Sequence, residues 1–269
     1  MTELDVRNVT KIYHSVGRAR AVTAVSDVDL TLTAGRTVAL VGESGSGKST
    51  IAKMLLQLER PTSGEILLDG EPIARHGRGL DRYRAAVQMV FQDPFASLNP
   101  FHTVGHHLAR PLLVSGRARG ARDTKHRVAE LLSRVRLDPA LASRRPHELS
   151  GGQRQRVAIA RALAPEPRVL IADEPVSMLD VSIRLGVLNL LADLQRERDL
   201  AVLYITHDLA TARHFSDEIL VMYRGEIVER GRSDQVILHP THPYTQRLAA
   251  AAPDPRRRFA AQQGTGTAS

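Results

Sequence analysis

One short run restricts the fold of this chain more than any other part of the sequence. It fits the eight-residue pattern G-x-x-x-x-G-K-[ST] with Gly42, Glu43, Ser44, Gly45, Ser46, Gly47, Lys48 and Ser49, and Thr50 follows it. An apolar, strand-like stretch (37–41) precedes it, and apolar residues at helical spacing follow it from Ile51 onward. Because a strand, a loop and a helix occur in this order, the run predicts a phosphate-binding loop rather than a chance glycine–serine turn.

The chemistry of such a loop follows from its residue types. Glycines let the backbone curl so that its N–H groups point at phosphate oxygens, and the helix that follows adds the positive end of its dipole. The pattern assigns Lys48 to the β- and γ-phosphates and the Ser49 hydroxyl to Mg²⁺. We therefore predict that the chain binds a nucleoside triphosphate together with Mg²⁺.

Composition narrows the class of protein. The 269 residues suit one domain, and 42% hydrophobic with 25% charged residues is ordinary for a soluble globular protein. The absence of cysteine excludes disulfides, thiolate metal sites and cysteine-ligated iron–sulfur clusters. No apolar run reaches the roughly 18 residues of a membrane span, and the acidic start (1–5) lacks signal-peptide features. We therefore expect the protein in the cytosol.

The basic balance of the chain is a weak indicator of function. A net charge of +8 is compatible with nucleic-acid binding, but the arginines are spread over the whole sequence. Aromatic residues make up 4% and tryptophan is absent, which leaves few platforms on which bases could stack. We interpret the charge as a solvated surface and expect no nucleic-acid partner.

The chain reads as an α/β fold. Residues 3–33 alternate like antiparallel strands, and later strands alternate with helices, which predicts a mainly parallel sheet with right-handed crossovers. A stretch of helical patterning, 101–163, is predicted to be an α-helical insertion into this core. Residues 71–84 and 93–100 are interpreted as surface connections because they are rich in charge, glycine and proline.

Two buried strands end in side chains suited to phosphoryl transfer. The strand 168–172 runs into Asp173 and Glu174, and the strand 201–206 ends at His207. Asp173 can hold Mg²⁺ through water, Glu174 can polarise the attacking water, and His207 can hydrogen-bond the γ-phosphate or hold Glu174 in place. Each alone is typical of a salt bridge or a cap, but adjacent strand ends beside a phosphate loop favour a catalytic role.

A second motif carries a family resemblance that covers nearly the full chain. The run is Leu149-Ser150-Gly151-Gly152-Gln153-Arg154-Gln155-Arg156, and together with the phosphate loop it resembles the ATPase subunit of ABC transporters. The resemblance implies that Tyr13 stacks on adenine, that Gln92 senses Mg²⁺ and the attacking water, and that Asp180 communicates across a dimer. The family usually has alanine where this chain has Met178.

Ser150, Gly151, Gly152 and Gln153 have two interpretations. Taken alone, they are a helix N-cap with flexible glycines, which is also an anion site at a helix N-terminus. The resemblance implies that this site closes on the γ-phosphate bound by a second ABC ATPase subunit, identical or related. Two ATP molecules would then lie between the subunits of a head-to-tail dimer.

Three further runs are similar to the oligopeptide, dipeptide and nickel importer subfamily: 91–100, 175–182 and 239–248. The resemblance implies an energy-coupling ATPase at the cytoplasmic face of the membrane, acting on integral membrane permease subunits and, indirectly, on an extracytoplasmic substrate-binding protein. The alternative is a soluble ABC ATPase that acts on nucleic acid or ribosomes. Such relatives typically carry two cassettes or a long coiled coil, and this chain has one phosphate loop and no long heptads.

We predict a single ABC ATPase domain over residues 1–253. Within it, 1–92 and 164–238 would form the α/β core, 93–163 the helical subdomain with the signature motif, and 239–253 a C-terminal extension. The end of the chain, 254–269, combines three consecutive arginines with Gly, Thr, Ala and Ser, and we expect it to be disordered.

Overall fold

The computed structural model describes residues 2–14 and 21–251. The strands in these ranges are β1 (Glu3–Tyr13), β2 (Val22–Thr33), β3 (Thr37–Val41), β4 (Ser63–Leu68), β5 (Glu71–Pro72), β6 (Val87–Val90), β7 (Val169–Asp173), β8 (Ala201–Thr206), β9 (Glu218–Tyr223) and β10 (Glu226–Arg232). The α-helices are α1 (Lys48–Leu55), α2 (Gly77–Ala86), α3 (Pro94–Ser97), α4 (Val104–Val114), α5 (Gly120–Arg134), α6 (Gly151–Leu163), α7 (Val181–Arg198), α8 (Leu209–Phe215), α9 (Ser233–Leu238) and α10 (Pro243–Ala251).

The larger sheet has six strands in the order β10-β9-β3-β8-β7-β6. Neighbours from β9 to β6 are parallel, and only the edge strand β10 runs antiparallel to its neighbour. Every residue of β3 and β8 is buried, as expected for central parallel strands that are covered on both faces. The prediction of a mainly parallel sheet is confirmed, and the carboxyl ends of β3, β6, β7 and β8 lie along one edge.

The N-terminal antiparallel region is also confirmed. It is a separate four-stranded sheet in the order β2-β1-β4-β5. Its alternate residues, such as Val6 and Leu30, join a hydrophobic cluster with Leu40 of β3 and Ile51 and Met54 of α1. Helix α1 therefore packs between the two sheets, and this packing fixes the phosphate loop that precedes it.

The helical insertion lies between β6 and β7, as the periodicity predicts. Helices α4, α5 and α6 share one hydrophobic cluster through residues such as Leu108, Leu132 and Ile159. Ser150 caps α6: its Oγ accepts from the Gln153 N–H at 3.3 Å, and the Gln153 side chain accepts from the Ser150 N–H at 2.9 Å. This reciprocal pair is a capping box, which satisfies two N–H groups that the helix itself leaves unpaired.

Two stretches that we interpret from the sequence as surface connections each contain a helix that the sequence does not predict. In 71–84, α2 begins at Gly77, and Tyr83 is the one residue of this helix that is buried. With a single anchor there is no apolar repeat to reveal the helix. The 93–100 stretch likewise contains the short helix α3, whose N–H groups are capped by Asp93, with Phe95 N donating to Asp93 Oδ1 at 2.7 Å.

The C-terminal extension continues the fold. His239 and His242 lie in the connection between α9 and α10, as the flanking prolines predict. The disorder predicted for 254–269 falls outside the described residues. Among the helices of the described ranges, none is long and apolar enough to cross a membrane.

Candidate functional site

The phosphate loop joins β3 to α1 with a backbone that only glycine allows at three points. Gly45 and Gly47 have φ values of 81° and 115°, in the left-handed region. A Cβ at Gly42 would come within 2.2 Å of the Met222 carbonyl oxygen, and one at Gly47 within 2.5 Å of the Ala24 carbonyl oxygen. The turn of the loop and its close contact with neighbouring backbone therefore both depend on the absence of side chains.

Lys48 crosses the inside of this loop. Its Nζ donates to the carbonyl oxygens of Gly42 at 2.7 Å and Glu43 at 2.8 Å, and the side chain is buried. Burial lowers the pKa of Lys48, while the carboxylates of Glu174 and Asp173 act in the opposite direction. The loop thus presents a cation to the carboxylates at the ends of the neighbouring strands.

Glu174 is the centre of the catalytic candidates. Gln92 Nε2 donates to Glu174 Oε2 at 2.9 Å, and His207 Nδ1 lies 2.9 Å from Glu174 Oε1. Glu174 adopts a positive φ of 43°, and its N–H donates to the Ile205 carbonyl at 2.9 Å. Residues that follow three neighbouring strands thus meet on one carboxylate, and a water beside it would face a preorganised base.

Asp173 lies next to this carboxylate in a half-buried position. Burial, together with the negative charge of Glu174, raises the pKa of Asp173 to about 6, and Lys48 acts against this rise. Ionised Asp173 therefore destabilises the folded protein unless a further cation is bound beside it. A carboxylate of this kind gains from binding a divalent ion.

This pKa predicts how Asp173→Asn should change stability in nucleotide-free, magnesium-free protein. The folded-state pKa is raised above its ordinary value of 3.8, so the free energy of unfolding falls as pH rises from about 4 through about 6. Asparagine does not ionise, so the free energy of unfolding of the variant should not fall in this way. At pH 7.5 it should be higher than that of the wild type by about 1–2 kcal/mol, after allowance for partial exposure. Urea denaturation at pH 4.5 and 7.5 measures it, and a stability difference independent of pH would contradict the assignment.

A cleft of about 690 Å³ collects most of the predicted site residues. The predicted residues that line it are Glu43, Ser44, Gly45, Gly47, Lys48, Ser49, Thr50, Gln92, Asp173, Glu174 and His207. Ala24 and Leu248 complete the lining. The structure therefore brings together the loop and the strand-end side chains that the sequence assigns to phosphate and metal.

The donors in this cleft fit Mg²⁺. Ser49 offers a hydroxyl, Asp173 a carboxylate and Gln92 an amide oxygen, all hard oxygen ligands. Within the described ranges, no group of three His, Cys, Asp or Glu side chains is arranged to hold a metal ion. Mg²⁺ is usually bound by one or two protein groups together with phosphate oxygens and water.

Other predicted residues lie outside the cleft lining. The Tyr13 hydroxyl donates to Glu59, and Lys11 Nζ lies 5.1 Å from the centroid of the Tyr13 ring. Ser150 is exposed at the start of α6, and Asp180 is exposed at the start of α7. Within one chain, neither Ser150 nor Asp180 lines the cleft, whereas the Tyr13 side chain lies within hydrogen-bonding reach of Thr50 at the end of the phosphate-loop run.

The signature helix is packed closely against α7. A Cβ at Gly152 would lie 2.7 Å from Cγ2 of Ile183, whereas one at Gly151 would make an ordinary contact of 3.6 Å with Leu179 Cδ2. Gly152 is therefore needed for packing. At Gly151, by contrast, the packing leaves room for a Cβ.

Comparison with known proteins decides the family. A family model described as ABC transporter matches residues 25–177, which is more than half of the chain. The chain belongs to the ABC transporter family. Both the phosphate loop and the signature run of this ABC cassette lie within the matched residues.

Curated relatives of this ABC cassette are named as import and transport proteins. The chain is 51% identical over 242 residues to the glutathione import ATP-binding protein GsiA of Pectobacterium atrosepticum, an alignment that covers 89% of the chain but 39% of that relative. It is 46% identical over 253 residues to the oligopeptide transport ATP-binding protein OppF of Streptococcus mutans, covering 94% and 82%. The chain thus spans about two fifths of the first relative and most of the second.

Solved ABC cassettes have the same fold. The dimeric post-hydrolysis structure of the cassette MJ0796 bound to ADP and Pi is 34% identical, with a TM-score of 0.75 and coverage of 86% of this chain and 98% of that one. CbiO1 of Clostridium perfringens, part of the CbiONQ transporter complex, is 26% identical, with a TM-score of 0.78 and coverage of 97% and 98%. The ABC ATPase fold predicted from the motifs is confirmed.

Two residues reach the site of this ABC cassette from α10 and were not predicted from the sequence. The Tyr244 hydroxyl accepts from the Glu43 N–H at 2.9 Å, and Leu248 lines the cleft. The run 239–248 was noted only as a subfamily marker. Its proximity to the phosphate loop could not be inferred, because Tyr244 and Glu43 are 201 positions apart.

Proposed function

We propose that this ABC cassette hydrolyses ATP and couples the reaction to import of peptides, or of nickel or related small solutes, through membrane permease subunits. One observation carries the catalytic part: Gln92 and His207 both contact the Glu174 carboxylate beside the Lys48 loop. The relatives named for glutathione and oligopeptide transport support the import part.

In the proposed mechanism the loop binds and orients the phosphates, and Lys48 with the loop N–H groups offsets their charge. Ser49, Asp173 and Gln92 would hold Mg²⁺, which neutralises charge on the β- and γ-phosphates when bound. Glu174 takes a proton from the attacking water, and His207 fixes the orientation of the Glu174 carboxylate. Tyr13 remains our candidate for contact with adenine.

We further propose that ATP joins two cassettes head to tail. Ser150, Gly151, Gly152 and Gln153 form the N-terminus of α6, where Ser150 is exposed and Gly152 is buried. A helix N-terminus of this kind suits an anion supplied by a second subunit. Asp180, exposed at the start of α7, would face the same junction. The second cassette can be another copy or a related ATPase, and hydrolysis would remove the γ-phosphate that links the two surfaces. A solved relative of this fold is dimeric with ADP and Pi.

The permease contact is proposed on the helical subdomain, near Phe95 to Phe101. Phe101 is 82% exposed and Phe95 is 55% exposed. Their chain neighbours His102 and Ala96 line a groove of about 960 Å³. Cytoplasmic helices of the permease would occupy this groove. Gln92 lines both the groove and the nucleotide cleft, so a change at the γ-phosphate can reach the permease contact through one side chain.

We also propose how the domain is divided and where it acts. The α/β core (1–92 and 164–238), the helical subdomain (93–163) and the extension (239–253) would act as one domain on the cytoplasmic face of the membrane. An extracytoplasmic binding protein would act on it only through the permease. We expect stimulation of the ATPase by RNA or DNA only under the alternative of a soluble ABC ATPase that acts on nucleic acid or ribosomes.

The import role predicts that permease subunits in proteoliposomes stimulate ATP hydrolysis, whereas RNA and DNA do not. Phe101→Ser should lower permease-stimulated hydrolysis and peptide uptake by about tenfold, because an aromatic anchor would be lost, and should leave basal hydrolysis unchanged. Leu238→Ser, an equally polar change at an exposed site on α9, is the control. Equal stimulation of the Phe101 variant and the wild type would count against this groove.

A further inference from the structure

The C-terminal helix α10 is attached to the body of the cassette at its start. The Glu229 carboxylate on β10 accepts from Thr241 N at 2.8 Å, Thr241 Oγ1 at 3.0 Å and His242 N at 3.0 Å. These bonds fix the connection that leads into α10. The helix therefore approaches the phosphate loop from a defined direction.

Tyr244, in the first turn of α10, makes the contact with the loop. It is 2% exposed, and its ring stacks on Tyr223 at a centroid separation of 4.2 Å and an interplanar angle of 28°. Its hydroxyl oxygen accepts from the Glu43 N–H at 2.9 Å. The stacked ring and the fixed helix start leave the hydroxyl little freedom to move away.

Glu43 is the residue through which this contact reaches the phosphate-binding lysine. The carbonyl oxygen of Glu43 accepts from Lys48 Nζ at 2.8 Å. On the other side of the loop, the Ser46 carbonyl accepts from the Gly225 N–H at 2.9 Å. The loop is therefore held from outside at two points, by α10 and by the turn between β9 and β10.

A second residue of α10 meets the site directly. Leu248 lies four positions after Tyr244, on the same face of the helix, and lines the nucleotide cleft. A nucleotide in the cleft would thus contact a loop that Tyr244 holds and a wall that Leu248 forms. Both contacts belong to one helix.

We propose that Tyr244 is a positioning residue for the phosphate loop, so that nucleotide binding and the docking of α10 stabilise each other. This inference rests on the proposed nucleotide-binding function. Linkage requires the effect to be reciprocal: α10 raises nucleotide affinity, and nucleotide raises the protection of α10.

Tyr244→Phe tests the proposal because it keeps the ring and removes only the hydroxyl. By calorimetry, the dissociation constant for Mg-ADP should rise about fivefold, the size expected for one backbone hydrogen bond. In ATP hydrolysis, KM should rise by a similar factor and kcat should change by less than about twofold, since the contact positions the loop before chemistry. An unchanged affinity and KM would overturn the proposal.

Tyr83→Phe is the matched control. Tyr83 is also buried, and its hydroxyl donates to a backbone oxygen, that of Leu55 at 2.5 Å, at the far end of α1 from the phosphate loop. It should lower stability without raising the dissociation constant for Mg-ADP. An equal rise in both variants would indicate general loosening and would overturn a specific role of Tyr244.

Hydrogen exchange gives a second measurement, which compares the wild type with and without nucleotide and then with Tyr244→Phe. Saturating Mg-ADP should slow amide exchange in residues 243–251, and this protection should be lost in Tyr244→Phe. Absence of protection in a wild type that binds Mg-ADP would overturn the linkage. A wild type that neither binds Mg-ADP nor hydrolyses ATP would instead contradict the proposed function itself.

Discussion

Replacing Glu174 with glutamine is expected to lower ATP hydrolysis by about 10²- to 10⁴-fold, the usual contribution of a general base. The substitution keeps the shape of the side chain and its position between Gln92 and His207. It removes the charge that would accept a proton from the attacking water. ATP binding should persist, because the phosphates are assigned to Lys48 and the loop.

Steady-state hydrolysis and ATP affinity, measured on the same preparation, test this prediction. Glu166→Gln is a suitable control, since Glu166 also has a positive φ, 59°, but forms an ion pair with Arg117 at 2.7 Å instead of lining the cleft. It should hydrolyse ATP at the wild-type rate. A Glu174 variant that retains more than about a tenth of wild-type activity would remove the base from our mechanism.

Replacing Gly151 with aspartate should abolish hydrolysis by a different route. Gly151 is the first residue of α6, where a negative charge stabilises the helix by about 0.3–1 kcal/mol, so the fold should be retained. In the proposed dimer, the same charge would face the γ-phosphate bound by the other cassette. At about 4 Å and an effective dielectric constant near 20, the repulsion is about 4 kcal/mol, which weakens pairing by roughly 10³-fold.

The Gly151 variant should therefore bind ATP normally as a monomer, fail to pair and fail to hydrolyse. Gly151→Ala adds the same Cβ without the charge, and that Cβ would make only an ordinary contact with Leu179. It should keep most of the wild-type activity. Sedimentation with Mg-ATP and hydrolysis assays compare the three proteins, and near-normal hydrolysis by the aspartate variant would exclude the signature helix from the reaction.

Short runs of the sequence indicate most of the residues that the structure brings together in the cleft. The glycine spacing of 42–50 indicates a phosphate-binding loop. Asp173, Glu174 and His207 follow apolar strands, and the carboxyl ends of such strands lie at one edge of a parallel sheet. The contact between Gln92 and Glu174 was not predicted from local patterns, because it joins residues 82 positions apart. Long-range pairing of this kind depends on the strand order, which no short run encodes.

Two features escaped prediction for related reasons. Helix α2 has one buried anchor, Tyr83, so its apolar residues form no repeat. The role of Tyr244 was hidden because the residue is a buried aromatic in a helix, a common arrangement in any core. Only its hydroxyl contact with Glu43 distinguishes it, and that contact requires the complete fold.

The central claim is that the glycine loop of one cassette meets the Ser150 helix end of another when ATP is bound. The chain contains no cysteine, so single cysteines at the exposed positions Ser44 and Ser150 report on this contact without background. Both cysteine variants also carry Glu174→Gln. In one experiment the two purified variants are mixed with each other; in the other, one variant is assembled into the whole transporter, where the second cassette carries the reciprocal cysteine. With a mild thiol oxidant present in every sample, we predict a disulfide between the subunits with Mg-ATP and none with Mg-ADP. ATP-saturated protein that forms no such cross-link in either setting would contradict the account.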